Sequence, residues 1–128
     1  MKKVIRDGKV GVLVSSGFGA GFFSWGAPME AIFDPILIEL VEKKYNMEFK
    51  PNDTGGITQD VKVWKTHEYK ELVDEMVEYV TKTYEGVYEG GIQDLVVEWI
   101  PEGKEFIIEE YDGSESLILK EDYNWIKS

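Results

Sequence analysis

Ser15-Ser16-Gly17-Phe18-Gly19-Ala20-Gly21-Phe22-Phe23-Ser24-Trp25-Gly26 is the segment of this chain whose residue types and spacing best suit a bound ligand. Glycines at 17, 19 and 21 let the backbone reach φ > 0 and let a molecule approach N–H groups with no Cβ in the way. Four aromatic residues between Phe18 and Trp25 add flat apolar surface beside that backbone. A planar anion such as a nucleotide matches both features, with amides on its phosphate and rings on its base. The segment has neither the Lys-Ser/Thr ending of a P-loop nor the G-x-G-x-x-G dinucleotide fingerprint. The competing reading is a glycine-rich connection whose Phe and Trp fill the core.

Catalytic chemistry finds little support. His67 is the only histidine, and Lys65, Thr66, Glu68 and Tyr69 around it form no metal-binding spacing, so it reads as an ordinary residue at a helix start. Ser15 and Ser16 follow a strand as a nucleophile would, but the G-x-S-x-G order is missing. Glu109, Glu110 and Asp112 are close enough to bind a hard cation or flank a bond, yet with 25 acidic residues such neighbours arise by chance. Asp94 stands apart, because it follows Gly90-Gly91 and opens an apolar strand, where a carboxylate can accept hydrogen bonds from an exocyclic amine or ribose hydroxyls, or simply close the turn. Tyr84, Tyr88 and Tyr111 lie next to turns and are better placed to stack on a ligand than rings within strands. No catalytic set, metal site or cofactor is expected.

The elements that must position these residues follow from pattern. Lys2 to Arg6 and Lys9 to Val14 flank Asp7-Gly8, a type I′ hairpin signal. Asp34 and Pro35 start a helix with an apolar stripe at Ile36, Leu37, Leu40 and Val41, ending near Lys43-Lys44. Lys50 to Gln59 carries the residues of a surface loop, and Val61 to Trp64 reads as a brief strand. Thr66 caps a second helix over Glu68 to Lys82, whose Tyr69, Leu72, Val73, Met76, Val77 and Val80 recur at helical spacing while acidic residues take the other side. After a second glycine loop at Tyr84 to Gly91, three strands at Leu95 to Ile100, Glu105 to Tyr111 and Glu115 to Leu119 are joined by short turns into a meander. The expected fold is α+β: a mostly antiparallel sheet of about five strands, the N-terminal hairpin plus the C-terminal meander, packed with two helices. Residues 1–128 read as a single ligand-binding domain.

Charge narrows the partners. The chain carries 14 basic and 25 acidic residues, a net charge of -11, and Arg6 is its only arginine. Such a surface repels DNA and anionic membranes, and leaves phosphate recognition to backbone amides or lysine. Zero cysteines exclude disulfides and thiolate chemistry and fit a reducing cytosol. With no apolar leader after Met1-Lys2-Lys3, the expected location is cytoplasmic.

Two stretches carry a resemblance: Gly17-Phe18-Gly19-Ala20-Gly21 with the following aromatic pair and Trp25, and Gly90-Gly91 through Asp94-Leu95-Val96-Val97-Glu98-Trp99-Ile100-Pro101-Glu102-Gly103 to Phe106 and Glu110-Tyr111-Asp112-Gly113-Ser114-Glu115-Ser116. Their spacing resembles a family of small phage and prophage proteins that includes the first-described type of Thoeris anti-defence protein. The resemblance covers roughly two-thirds of the chain and leaves out Asn46 to Thr83. It implies a sponge that binds cyclic ADP-ribose isomers made by a bacterial immune sensor, holds them uncleaved and so blocks anti-phage defence. It also implies homo-oligomers, dimers or hexamers, some of which bind cyclic oligonucleotides at a separate site. The glycine–aromatic loops and this resemblance together give the expected ligand-binding residues Gly17, Phe18, Gly19, Ala20, Gly21, Phe23, Trp25, Tyr84, Tyr88, Asp94, Glu109 and Tyr111, of which Asp94 matches an acidic position of the family. Ile107 departs from the pattern, since relatives usually place an arginine there. The alternative from another class is an acidic inhibitor that mimics nucleic acid charge and binds a host defence protein.

Overall fold

The computed structural model describes residues 2–122, an α+β fold of seven antiparallel strands and three α-helices in which the strands form three separate small sheets. β1 (Ile5–Arg6) and β2 (Lys9–Ser15) form the expected hairpin, with positive φ at both Asp7 and Gly8 as a type I′ turn requires. After α1 (Met29–Ile32), α2 (Pro35–Glu48) and α3 (His67–Thr83), β5 (Leu95–Pro101) returns to pair with β2 along its whole length, from Lys9↔Pro101 to Ser15↔Leu95.

The five-stranded sheet is thereby corrected. The first sheet has the order β1-β2-β5, and β6 (Phe106–Tyr111) and β7 (Ser114–Leu119) form a two-stranded hairpin of their own. The hairpin is drawn off by packing: Phe106 meets the Phe33 ring edge-on at 6.3 Å, and β7 lies against β2. Two more expectations change. The surface loop at Lys50 to Gln59 contains a short ladder, β3 (Phe49–Pro51) with β4 (Ile57–Gln59). Val61 to Trp64 is a 3-10 turn (Val61–Lys65), opened where the Asp60 carboxylate accepts from the Lys62 N–H at 3.1 Å.

β2 is buried throughout Val10–Ser15, so both of its faces need cover, and α1, α2 and β7 all touch it. Phe22, Ile32, Leu37, Ile38, Met76, Val80, Ile92 and Leu95 complete the core. The second helix ends later than Lys43-Lys44, because Lys44 turns inward. Its ammonium pairs with Glu48 at 2.5 Å in a buried contact, and the Tyr69 hydroxyl donates to the same carboxylate at 2.8 Å. Ionic pairing within the last turns thus carries the helix to Glu48.

Asp34 locks α2 to α3. One of its oxygens accepts from the N–H groups of Ile36 (2.9 Å) and Leu37 (3.1 Å), and the other from the hydroxyls of Tyr79 (2.7 Å) and Tyr84. Burial, then the hydrogen bond to Asp34 and its charge, push the Tyr79 phenol up to about 12 from 10.0. The folded chain therefore holds this proton more tightly than the unfolded chain does. The resulting stabilisation is intact below pH ~10 and is lost as pH rises toward the folded value. Denaturant unfolding across that window is expected to show falling stability in the native chain and a flatter profile in Asp34→Asn.

Candidate ligand-binding site

The glycine loop folds over a buried carboxylate. Glu115, at the second position of β7 and 4% exposed, accepts four hydrogen bonds: from the Ser15 N–H (2.7 Å), the Phe22 N–H (3.1 Å), the Ser24 N–H (2.8 Å) and the Ser24 hydroxyl (2.7 Å). A nest of loop amides does hold an anion here, and the anion is the chain's own. Charge-assisted bonds of this kind hold the loop in one conformation.

The hairpin turn clamps the loop from outside. The Gly19 N–H donates to the Asp112 carbonyl, and the Ser114 hydroxyl to the Ser16 carbonyl at 3.2 Å. Gly113 (φ +87) sits so close that a Cβ there would collide with the backbone nitrogen of Ala20. Gly113→Ala combines that clash with backbone strain and is expected to cost about 2 kcal/mol in unfolding free energy. From the third side, the Asp94 carbonyl accepts from both the N–H (3.0 Å) and the hydroxyl (3.1 Å) of Ser16, while the Asp94 carboxylate lies over Gly17 where a side chain would otherwise stand.

These contacts sort the expected site residues. Gly17, Gly19, Ala20, Gly21 and Asp94 come together as one clasped unit, with Ala20 and Gly21 buried. The N–H groups of Gly19, Phe22, Ser24, Trp25 and Gly26 are already donated within the chain, so they are not free for phosphate. Phe22 is a core residue and Phe23 packs half-buried against the core, as the connection reading would have them. Phe18 and Tyr111 are 74% and 75% exposed and adjoin the two ends of the Gly19–Asp112 hydrogen bond. Trp25 and Tyr88 meet at 5.4 Å between centroids, with their planes tilted by 56°, and both keep exposed surface.

Beside this aromatic pair a groove of about 910 Å³ opens between α3 and the second glycine loop, lined by Val73, Val77, Gly86, Tyr88, Gly90 and Gln93 among others. Within the described residues, no acceptor meets the N–H of Gly86 or Tyr88, whereas Val87 is buried and closes the turn at residues 85–86. Two expected residues lie elsewhere. Tyr84 spends its hydroxyl on Asp34, and burial followed by that hydrogen bond raises its pKa. Glu109 is exposed on β6 opposite Ser116, with no hydrogen bond to the loop.

Sequence reasoning missed Glu115, Ser24, Gln93 and the α3 valines. The valines carry the helical period that buries a face, but nothing in the sequence tells a groove wall from a core wall. His67 pairs with Glu71 at 2.9 Å on the exposed start of α3, as an ordinary surface residue does. Among the described residues, no helix is long and apolar enough to cross a membrane. Comparison with protein-family models, with curated proteins and with solved structures returns no match to this chain.

Proposed function

We propose that this protein is a non-catalytic sponge that captures a cyclic nucleotide signal, a cyclic ADP-ribose isomer in the first instance, and holds it uncleaved. The observation that carries the reading is the pairing of two exposed rings, Trp25 and Tyr88, with a groove where the N–H groups of Gly86 and Tyr88 meet no acceptor among the described residues. In the proposed complex the base stacks on the rings, phosphate oxygens accept from those amides, and the Asp94 carboxylate beside Gln93 accepts from ribose hydroxyls or an exocyclic amine.

The energetics are consistent with a tight binder. Stacking supplies about 1–3 kcal/mol per base, and micromolar affinity requires about -8 kcal/mol in total. Amide bonds to charged oxygens contribute the remainder. The Glu115 clasp orders the Trp25 side of the groove before any ligand arrives, which reduces the entropy lost on binding. The test is to incubate the protein with cyclic ADP-ribose isomers, remove free nucleotide, release bound material by heat and identify it by chromatography. Intact nucleotide in the released fraction supports the sponge. A cleaved product indicates an enzyme, and no depletion of any isomer removes the reading.

The second reading, an acidic inhibitor acting as a charge mimic, draws on the exposed face of α3, where Glu68, Glu71, Asp74, Glu75 and Glu78 line up at helical spacing. It predicts strongly salt-dependent binding to a basic protein and no nucleotide capture.

A further inference from the structure

β5 is an edge strand whose outer side is open over a defined stretch. The bonds from the Ser16 N–H to the Asp94 carbonyl (3.0 Å) and from the Glu102 N–H to the Gly8 carbonyl (2.8 Å) continue the β2–β5 ladder at its two ends. Val96, Glu98 and Ile100 therefore bond to β2, and the N–H and C=O groups of Val97 and Trp99 point away from it. The stretch has two closed ends. The Leu95 N–H donates to Ile92 (3.3 Å), and Pro101 has no N–H while its carbonyl accepts from Lys104 (3.2 Å). Between them, Val97 and Trp99 each leave a donor and an acceptor, and Leu95 an acceptor, with no partner among the described residues. Alternation then gives the two faces of this edge opposite characters. On one, Leu95, Val97 and Trp99 border a groove of about 440 Å³ whose far wall is the C-terminal half of α2, where Tyr45 stacks on Phe49 at 4.6 Å. On the other, Glu98 and Glu102 are exposed, about 13 Å apart by strand rise, and neither pairs with a basic side chain among the described residues.

We propose that this edge takes up an extended, basic segment of a partner protein as an added antiparallel strand. The backbone selects a strand, because unpaired main-chain donors and acceptors at strand spacing match the N–H and C=O groups of another peptide. Charge selects its sequence. A chain of net charge -11 repels an acidic segment, whereas a carboxylate directly across from Lys or Arg on a neighbouring strand is favoured. The residue opposite Glu98 forms a non-hydrogen-bonded pair, in which side chains lie closest, so Lys or Arg there reaches the carboxylate. A second basic residue four positions earlier in the partner reaches Glu102. The two residues flanking the first basic one face Val97 and Trp99, and apolar side chains there enter the groove beside Tyr45. The pattern that fits the edge is basic, any, any, apolar, basic, apolar. The ionic groups of the groove itself are already matched, Glu42 by Arg6 (2.6 and 2.8 Å) and Glu48 by Lys44, so the pocket for the apolar side chains is locally neutral.

This surface shares no residue with the groove beside α3 or with the acidic face of α3, so peptide binding is independent of nucleotide capture. The probe is the peptide acetyl-KTTIKIT-amide, whose second lysine stands opposite Glu98. Calorimetric titration of the native chain is expected to give sub-millimolar affinity that weakens with salt. Hydrogen exchange at the Val97 and Trp99 N–H groups should slow when the peptide is bound. Glu98→Lys, an exposed change, should keep native circular dichroism and weaken the peptide about tenfold. Methylating the backbone nitrogens of both isoleucines removes the donors to the Val97 and Trp99 carbonyls and should abolish binding, with the protein untouched. Equal binding of the acidic peptide acetyl-ETTIEIT-amide, or of the methylated one, overturns the proposal, because the contact is then not strand addition to an acidic edge. Absence of binding overturns it as well. Slow exchange at Val97 and Trp99 in the free chain also overturns it, because another part of the chain or a second copy then fills the edge.

Discussion

Glu115→Gln is expected to lower the unfolding free energy by about 3 kcal/mol and to free the glycine loop while leaving the sheet of β1, β2 and β5 assembled. The native carboxylate satisfies three backbone N–H groups and one hydroxyl at once, inside a site 4% exposed. An amide of the same shape keeps one oxygen and turns an NH₂ toward donors that need an acceptor. At least one buried N–H then loses its partner, and each charge-assisted bond that remains becomes a weaker neutral one. Urea unfolding should show the drop. Hydrogen exchange should show lost protection at Phe22 and Ser24 with protection retained at Val12 and Val96, whose N–H groups lie in the β2–β5 ladder. Glu109→Gln, on the exposed side of the neighbouring strand, should stay within about 0.5 kcal/mol of the native chain. Equal stability of the Glu115 and Glu109 variants would refute the clasp.

Glu115 also shows where a sequence stops being legible. It is one of 25 acidic residues, and its partners are backbone amides of Ser15, Phe22 and Ser24 that any residue type supplies. A salt bridge leaves a second charged residue to notice, whereas a carboxylate held by main-chain donors leaves no trace in the spelling. The local signals fared better. Asp7-Gly8, Asp34-Pro35 and the Thr66 cap each encode their geometry within a few residues, and the hairpin and both long helices start where those residues stand. Period-two alternation is legible in β6 as well, where Phe106 and Ile108 are half-buried and Ile107, Glu109 and Tyr111 are exposed.

Strand partnership was the non-local part. Short turns from β5 to β6 and from β6 to β7 suit a meander, and the choice of β2 as the partner of β5 depends on matching two runs about 85 residues apart in the chain, with Gly11 left bare so that the Trp99 ring can lie across it. The glycine loop was found for a reason the structure revises. Gly17 and Gly113 serve close approach by Asp94 and Ala20 of the same chain, so side-chain absence there marks self-packing as readily as ligand contact.

That revision moves the expected binding energy from loop amides to rings, and replacing both Trp25 and Tyr88 by alanine should therefore weaken nucleotide capture by about 100-fold or more. Each ring keeps exposed surface, and their 5.4 Å contact is peripheral to the core, so the double variant is expected to fold with native far-ultraviolet dichroism. The single variants separate two ways of using the pair. A base stacked on one ring and merely bordered by the other gives one large effect, near 100-fold, and one of a few-fold. A base that touches both gives two intermediate effects whose free energies sum to less than the double, because removing either ring lets the other relax toward the groove. Phe18→Ala and Tyr111→Ala, at the hairpin clamp, test the remaining exposed rings in the same assay. Their loss should leave capture unchanged within a few-fold when the groove beside α3 holds the ligand. A larger effect from Phe18 and Tyr111 than from Trp25 and Tyr88 would relocate the site to the outer face of the clamp. There Asp94 lies over Gly17, Glu110 accepts from the Gly113 N–H at 3.2 Å, and the N–H groups of Gly86 and Tyr88 would play no part.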